Sequence, residues 1–174
     1  MQENEVKILG INKEEVIKKL EELGAIKKFD GQVAASIFDT PDNRLYNKKD
    51  LLRLRKVGDK IELVYKEGVK HSEVMSCNEH EIIVDDFDSA VRILRSLGFD
   101  QTGETYSKER ISYVFNDIHF EIDTHPGIPA FLEVEGKTKE DVEVGVKLLG
   151  YEMKDTKAWN GEQVKKYYEE KSNS

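Results

Sequence analysis

The chemically capable residues of this chain come in like-signed pairs, two positions apart. In order they are Glu3-x-Glu5-x-Lys7, Arg53-x-Arg55, Lys108-x-Arg110, Glu121-x-Asp123 and Glu133-x-Glu135, with Glu62 and Lys66 four apart. Side chains two apart on a strand share a face. The alternate positions are apolar: Val6 and Ile8, Leu52 and Leu54, Ile61, Leu63 and Tyr65, Ile111 and Tyr113, Phe120 and Ile122, Leu132 and Val134. Any one such strand is explained by a half-solvated sheet. The set is not, because like charges two apart repel and surfaces usually intersperse signs. Turned inward, these faces would make a polar lumen with a basic and an acidic wall. Arg and Lys clusters bind phosphoryl oxygens. Carboxylates hold hard cations that bridge such oxygens. Six bases (Lys7, Arg53, Arg55, Lys66, Lys108, Arg110) and six acids (Glu3, Glu5, Glu121, Asp123, Glu133, Glu135) therefore suit a metal-bound polyphosphate.

The elements that must position these residues are legible from periodicity and turn chemistry. Strands are expected at Glu3–Ile8, Ala25–Thr40, Leu51–Val57, Lys60–Glu67, Glu73–Val84, Thr105–Phe115, Ile118–Thr124 and Phe131–Glu135. Gly58-Asp59 and Asn116-Asp117 read as hairpin turns, and Pro41-Asp42-Asn43 as a loop turn. Four amphipathic helices are expected. The first is capped by Asn12 and carries Val16, Ile17, Leu20 and Leu23; the second runs from about Asp86 to Leu97 with Val91, Ile93, Leu94 and Leu97 as its stripe. Thr138 opens the third, and the last spans Gly161–Glu169. Helices stop at Leu23-Gly24, Leu97-Gly98 and Leu149-Gly150. These apolar stripes need a partner, which the outer faces of the strands would supply.

Composition sets outer bounds. The 174 residues, with 27 Lys+Arg against 35 Asp+Glu, carry a net charge of −8 and suit one α+β domain over residues 1–174. Net acidity excludes a broad nucleic-acid or anionic-membrane surface. The single cysteine, Cys77, forms no intrachain disulfide and fits a reducing compartment. No apolar stretch is long enough to span a membrane, and the N-terminus lacks a signal-peptide core. A cytoplasmic monomer or homodimer is expected.

The ordered set also carries a family resemblance. Glu3-x-Glu5-x-Lys7 matches the E-x-E-x-K signature of the CYTH, or triphosphate tunnel metalloenzyme, superfamily, and Phe38-Asp39-Thr40-Pro41-Asp42, Leu52-Arg53-Leu54-Arg55, Val64-Tyr65-Lys66 and the later charged pairs follow in order. The resemblance implies a closed eight-stranded antiparallel β-barrel with a charged lumen and helices outside. It places Lys7, Arg53, Arg55, Lys66, Lys108 and Arg110 at triphosphate-binding positions. It places Glu3, Glu5, Asp123, Glu133 and Glu135 at metal-binding positions, for Mg²⁺ or Mn²⁺, with Glu121 and Glu81 less firmly matched. Glu5, Lys66 and Glu133 are the residues it puts at the reacting centre. The implied partner is a small triphosphate: ATP in a class IV adenylyl cyclase-like reaction, or tripolyphosphate, thiamine triphosphate or a nucleoside triphosphate in hydrolysis. A noncatalytic polyphosphate-binding module is the remaining alternative. The chain departs from the family after Lys66, reading Glu67-Gly68-Val69-Lys70 where Lys-Gly-Pro and a further base are common, with Lys70 the expected stand-in.

Other motifs fall away. Gly136-Lys137-Thr138 has Phe131 where a phosphate-binding loop needs its first glycine, so Thr138 reads as a helix cap. Cys77 and His80 lack a second pair for zinc. His71, His119 and His125 have no nucleophile at a telling spacing and read as loop or surface residues. His125-Pro126-Gly127-Ile128-Pro129 is a stiff connector, either gating the lumen or merely joining strands, and Trp159, Tyr167 and Tyr168 read as packing residues.

Overall fold

A computed structural model describes residues 2–172 of the chain. In chain order the elements are β1 (Gln2–Leu9), α1 (Lys13–Glu22), β2 (Ile26–Asp39), α2 (Arg44–Lys48), β3 (Leu51–Val57), β4 (Lys60–His71), β5 (Met75–Val84), α3 (Phe87–Ser96), β6 (Asp100–Gln101), β7 (Tyr106–Phe115), β8 (Ile118–Thr124), β9 (Phe131–Gly136), α4 (Lys139–Leu148), a 3₁₀ turn (Met153–Asp155), β10 (Thr156–Lys157) and α5 (Gly161–Ser172). The strands hydrogen-bond in the order β10-β1-β5-β4-β3-β2-β7-β8-β9, and β1 also pairs β9. That circuit returns to its starting strand, which is the pairing of a closed eight-stranded antiparallel barrel. Two-residue β6 and β10 are appended to β2 and β1.

The residues group into two compact units. The first holds Gly31–Lys70 and Cys77–Lys108. Here β3 and β4 form the expected hairpin, with Arg55 opposite Glu62 and Leu54 opposite Leu63. Phe38, Leu52 and Leu54 bury one face of the strands against Ala90 and Leu94 of α3 and Leu45 of α2. Ile93 and Leu97, expected on the buried stripe of this helix, are instead 61% and 67% exposed. The buried stripe runs through Phe87, Ala90, Val91 and Leu94. β4 runs four residues beyond its expected end, through the segment that departs from the family pattern. Asp50 fixes it there, accepting from Tyr65 Oη at 2.7 Å and Gly68 N at 2.8 Å, and Lys70 is exposed. The Asp50 carboxylate and burial push the Tyr65 phenol up to about 12.

The second unit holds Gln2–Asp30, His71–Ser76 and residues 109–172. Its register assigns every strand residue to a face. Val6, Val134, Phe120 and Tyr113 lie side by side across β1, β9, β8 and β7, and so do Ile8, Leu132, Ile122 and Ile111. This apolar face buries Val16 and Leu20 of α1 and Val142 and Val146 of α4. Both helices start as read from sequence: Asn12 accepts from Glu15 N, and Thr138 and Asp141 cap each other reciprocally. α4 sits close on the sheet at Gly145, where an added Cβ would lie 2.6 Å from Val134 Cγ1 and 2.9 Å from Ile118 Cγ2. The hairpin between β7 and β8 turns through Asn116 and Asp117, both left-handed at φ 49° and 62°, as a two-residue primed turn requires. Val164 and Tyr168 of α5 pack on Phe131, with Ile128 and Trp159 around them, and His125 stacks on Phe131 at 5.7 Å. The 125–129 connector is thereby clamped, while Tyr167 is exposed.

Candidate metal and phosphate site

In the second unit the face opposite α1 and α4 carries the charges, arranged in three lateral rows, with α5 packed on Phe131 at one end. Glu5, Glu135 and His119 form the first, Lys7, Glu133, Glu121 and Ser112 the second, and Phe131, Asp123 and Arg110 the third. Burial confirms that this face is not a solvated one: Glu3, Glu5, Lys7, Arg110, Asp123 and Glu133 are all buried, Asp123 at 0% exposure. Charges are buried at this density only when paired.

The pairing sorts the acids into two groups that share Glu5. Arg110 binds Asp123 through both oxygens, at 2.6 and 2.7 Å, and also meets Glu121 and, at 3.6 Å, Glu133. Lys7 pairs with Glu5 and, at 3.1 Å, with Glu133. Burial works against charge on both cations, but the surrounding carboxylates outweigh it and hold each above its ordinary pKa. Lys7 and Arg110 are therefore permanently charged at neutral pH. Ser112, absent from the sequence-based set, donates to Glu121 at 3.3 Å.

The second group is Glu3, Glu5 and Glu135, each offering a carboxylate oxygen within 4.8 Å of the others. Three hard anionic donors so close fit a hard divalent cation, which takes carboxylate oxygens and lets like charges converge. Of the five acids expected to bind metal, the structure gathers these three and ties Asp123 and Glu133 to Arg110 and Lys7. His119, read from sequence as a loop or surface residue, is exposed but lies on strand β8, on the charged face. Partial burial lowers its pKa, with Asp117 opposing and Lys137 and Lys28 assisting. The signal that would have found it is cross-strand register, which periodicity alone does not supply.

The first unit holds the remaining expected bases. Arg53 and Arg55 share a face of β3. Arg55 pairs with Glu62 and, at 3.1 Å, with Glu81, while Lys66 pairs with Glu79 at 3.1 Å. Burial and the neighbouring Glu62 raise the Glu81 carboxyl above its usual range, with Arg55 opposing and Glu79 assisting. Arg53 Nε is buried with no hydrogen-bond partner among the described residues. Lys108 is partly buried.

Comparison with known proteins places this geometry. The CYTH domain matches residues 1–157. No curated protein matches the chain. Among solved structures, a candidate adenylate cyclase from Vibrio parahaemolyticus is similar at TM-score 0.82 and 16% identity, covering 94% of this chain and 97% of that one. A protein from Pyrococcus horikoshii is similar at TM-score 0.76 and 26% identity, covering 93% and 98%. A candidate adenylyl cyclase from Hippeastrum, described as having a dominant triphosphatase activity, is similar at TM-score 0.65 and 19% identity, covering 92% of each chain. The closed strand circuit, the buried acidic cluster and the match over residues 1–157 lead to one assignment: the chain belongs to the CYTH domain family.

Proposed function

We propose that this protein is a divalent-metal-dependent enzyme that processes a small triphosphate. The observation that carries the reading is the convergence of Glu3, Glu5 and Glu135 within 4.8 Å on a buried, charge-bearing sheet face. Those three carboxylates would hold Mg²⁺ or Mn²⁺. When bound, such a cation supplies polarisation of phosphoryl oxygens and offsets their charge.

The chain's own residues supply the rest. Lys7, Arg53, Arg55, Lys66, Lys108 and Arg110 are the proposed phosphate ligands. An Arg fork has five donors, so Arg55 and Arg110 can keep their carboxylates while donating to a phosphate. The buried Arg53 Nε is a donor whose unmet hydrogen bond costs about 1–3 kcal/mol, which a phosphate oxygen would recover. Lys66, held by Glu79, neutralises charge building on the departing phosphates. Glu133 orients Lys7 and Arg110 toward the reacting phosphoryl group, and Glu5 contributes both to Lys7 and to the cation site. Asp123 serves the metal-facing wall through Arg110.

Cyclisation of ATP is the first reading: the ribose 3′ oxygen attacks the α-phosphorus and pyrophosphate leaves. The likeness in fold to the Vibrio protein supports it. Hydrolysis, in which water attacks the terminal phosphorus of tripolyphosphate, thiamine triphosphate or a nucleoside triphosphate, is the second, supported by the Hippeastrum protein's described activity. Among the described residues no helix is long and apolar enough to cross a membrane. Incubation with ATP or tripolyphosphate plus Mg²⁺ or Mn²⁺, with product identification, tests the proposal. Cyclic AMP with pyrophosphate selects cyclisation, and orthophosphate selects hydrolysis. Tight binding without turnover of any triphosphate would overturn the enzymatic reading in favour of a binding module.

A further inference from the structure

The three converging carboxylates share their row with a nitrogen donor. β8 places His119 directly opposite Glu135, and β9 places Glu135 directly opposite Glu5. Directly opposed residues of an antiparallel pair project from the same face with Cβ atoms about 4.5–5.5 Å apart. The imidazole thus flanks Glu135 on one side as Glu5 does on the other, and Glu3 joins from two residues along β1. His119 makes no hydrogen bond or ion pair among the described residues, whereas the nearby Lys137 is committed to Asp117 at 3.1 Å.

A nitrogen beside carboxylates changes which cation a site prefers. Mg²⁺ takes oxygen ligands and keeps its waters, whereas transition-series cations accept imidazole readily. We infer that His119 is the nitrogen ligand of this cation site, and that it biases the site toward Mn²⁺ over Mg²⁺. The inference rests on the metal-dependent reading above and adds a ligand and a selectivity to it. The three carboxylate oxygens lie within 4.8 Å of one another without the imidazole, so His119 must turn toward Glu135 to join them.

Spin-echo spectroscopy of the Mn²⁺-loaded protein, without substrate, reads the ligand set directly. A directly coordinated nitrogen should modulate the echo in the wild type and vanish in His119→Gln. In the same variant Mn²⁺ should bind about tenfold more weakly, the usual loss at a metal-site position, while Mg²⁺ affinity, measured by competition, should change less than about twofold. Bound Mn²⁺ with no nitrogen signal in the wild type, or a signal retained in His119→Gln, would overturn the inference and leave the metal-dependent reading standing. Equal weakening of Mn²⁺ and Mg²⁺ would overturn the selectivity. A wild type that binds no divalent cation would sink both. The wild-type spectrum decides the ligand question independently of any variant's folding, and His119→Asn repeats the comparison with a smaller side chain.

Discussion

Glu133 stands between two buried cations, Lys7 at 3.1 Å and Arg110 at 3.6 Å, and its neutralisation separates the electrostatic role from the structural one. In Glu133→Gln, Lys7 retains Glu5 and Arg110 retains Asp123, so the fold should persist while kcat falls about ten- to hundredfold. Steady-state kinetics with a thermal melt check this; full activity in a folded variant would remove Glu133 from the machinery. Arg55→Ala should raise the KM for the triphosphate about tenfold, equivalent to about 1.4 kcal/mol. A changed melting temperature with unchanged KM would make Arg55 structural. At this scale the sequence showed the charged residues plainly, because like-signed pairs at spacing two repel on an open strand and persist only where something binds them. It did not show which acids meet each other. Glu135 gains Glu5 and His119 as neighbours through register, and register depends on where two distant segments align.

Elements longer than about five residues were legible and shorter ones were not, since two residues of β6 or β10 carry no period. The short α2 has a different origin. Its first turn is held by Asp39, which accepts from Leu45 N and Tyr46 N, each at 2.9 Å, and from Thr40 N at 2.7 Å. Burial raises the Asp39 pKa, but these donors outweigh it and bring it below the ordinary 3.8. A depressed carboxylate stabilises above its unfolded pKa and loses that contribution as pH falls through the folded value. Asp39→Ala should therefore cost about 1–2 kcal/mol near neutral pH, as for a lost helix cap. The deficit in urea melts should shrink below about pH 4 and stay level above it. α4 offers a packing test. Gly145→Ala gains about 1 kcal/mol of helix propensity, but its methyl would sit 2.6 Å from Val134 and 2.9 Å from Ile118. Overpacking costs about 1–3 kcal/mol, so the net change should be destabilising by about 1 kcal/mol. A higher melting temperature would show that the helix can back away.

For the molecule as a whole, buried like charges are a liability that a bound cation would relieve. A cation at about one hundred times its dissociation constant should stabilise the protein by about 2.7 kcal/mol, a rise of roughly 5–10 °C at this size. Differential scanning calorimetry with Mn²⁺, then with excess chelator, measures it; no shift would argue against a site that includes Glu3, Glu5 and Glu135. The fold class was readable in advance because most of the strands announce both faces, one apolar and one charged. The left-handed Asn116-Asp117 turn carries a longer consequence. It sets the pairing that puts Arg110 against Asp123 and Ser112 against Glu121. A strand has parity, so with β8 held by β9 a one-residue slip of β7 would present Ile111 where Arg110 belongs, and send Arg110 into the helix layer. Two residues would only slide the rows by one step. Length variation in this hairpin should therefore be tolerated in even steps and rejected in odd ones, a constraint on the family's drift that acts on spacing alone.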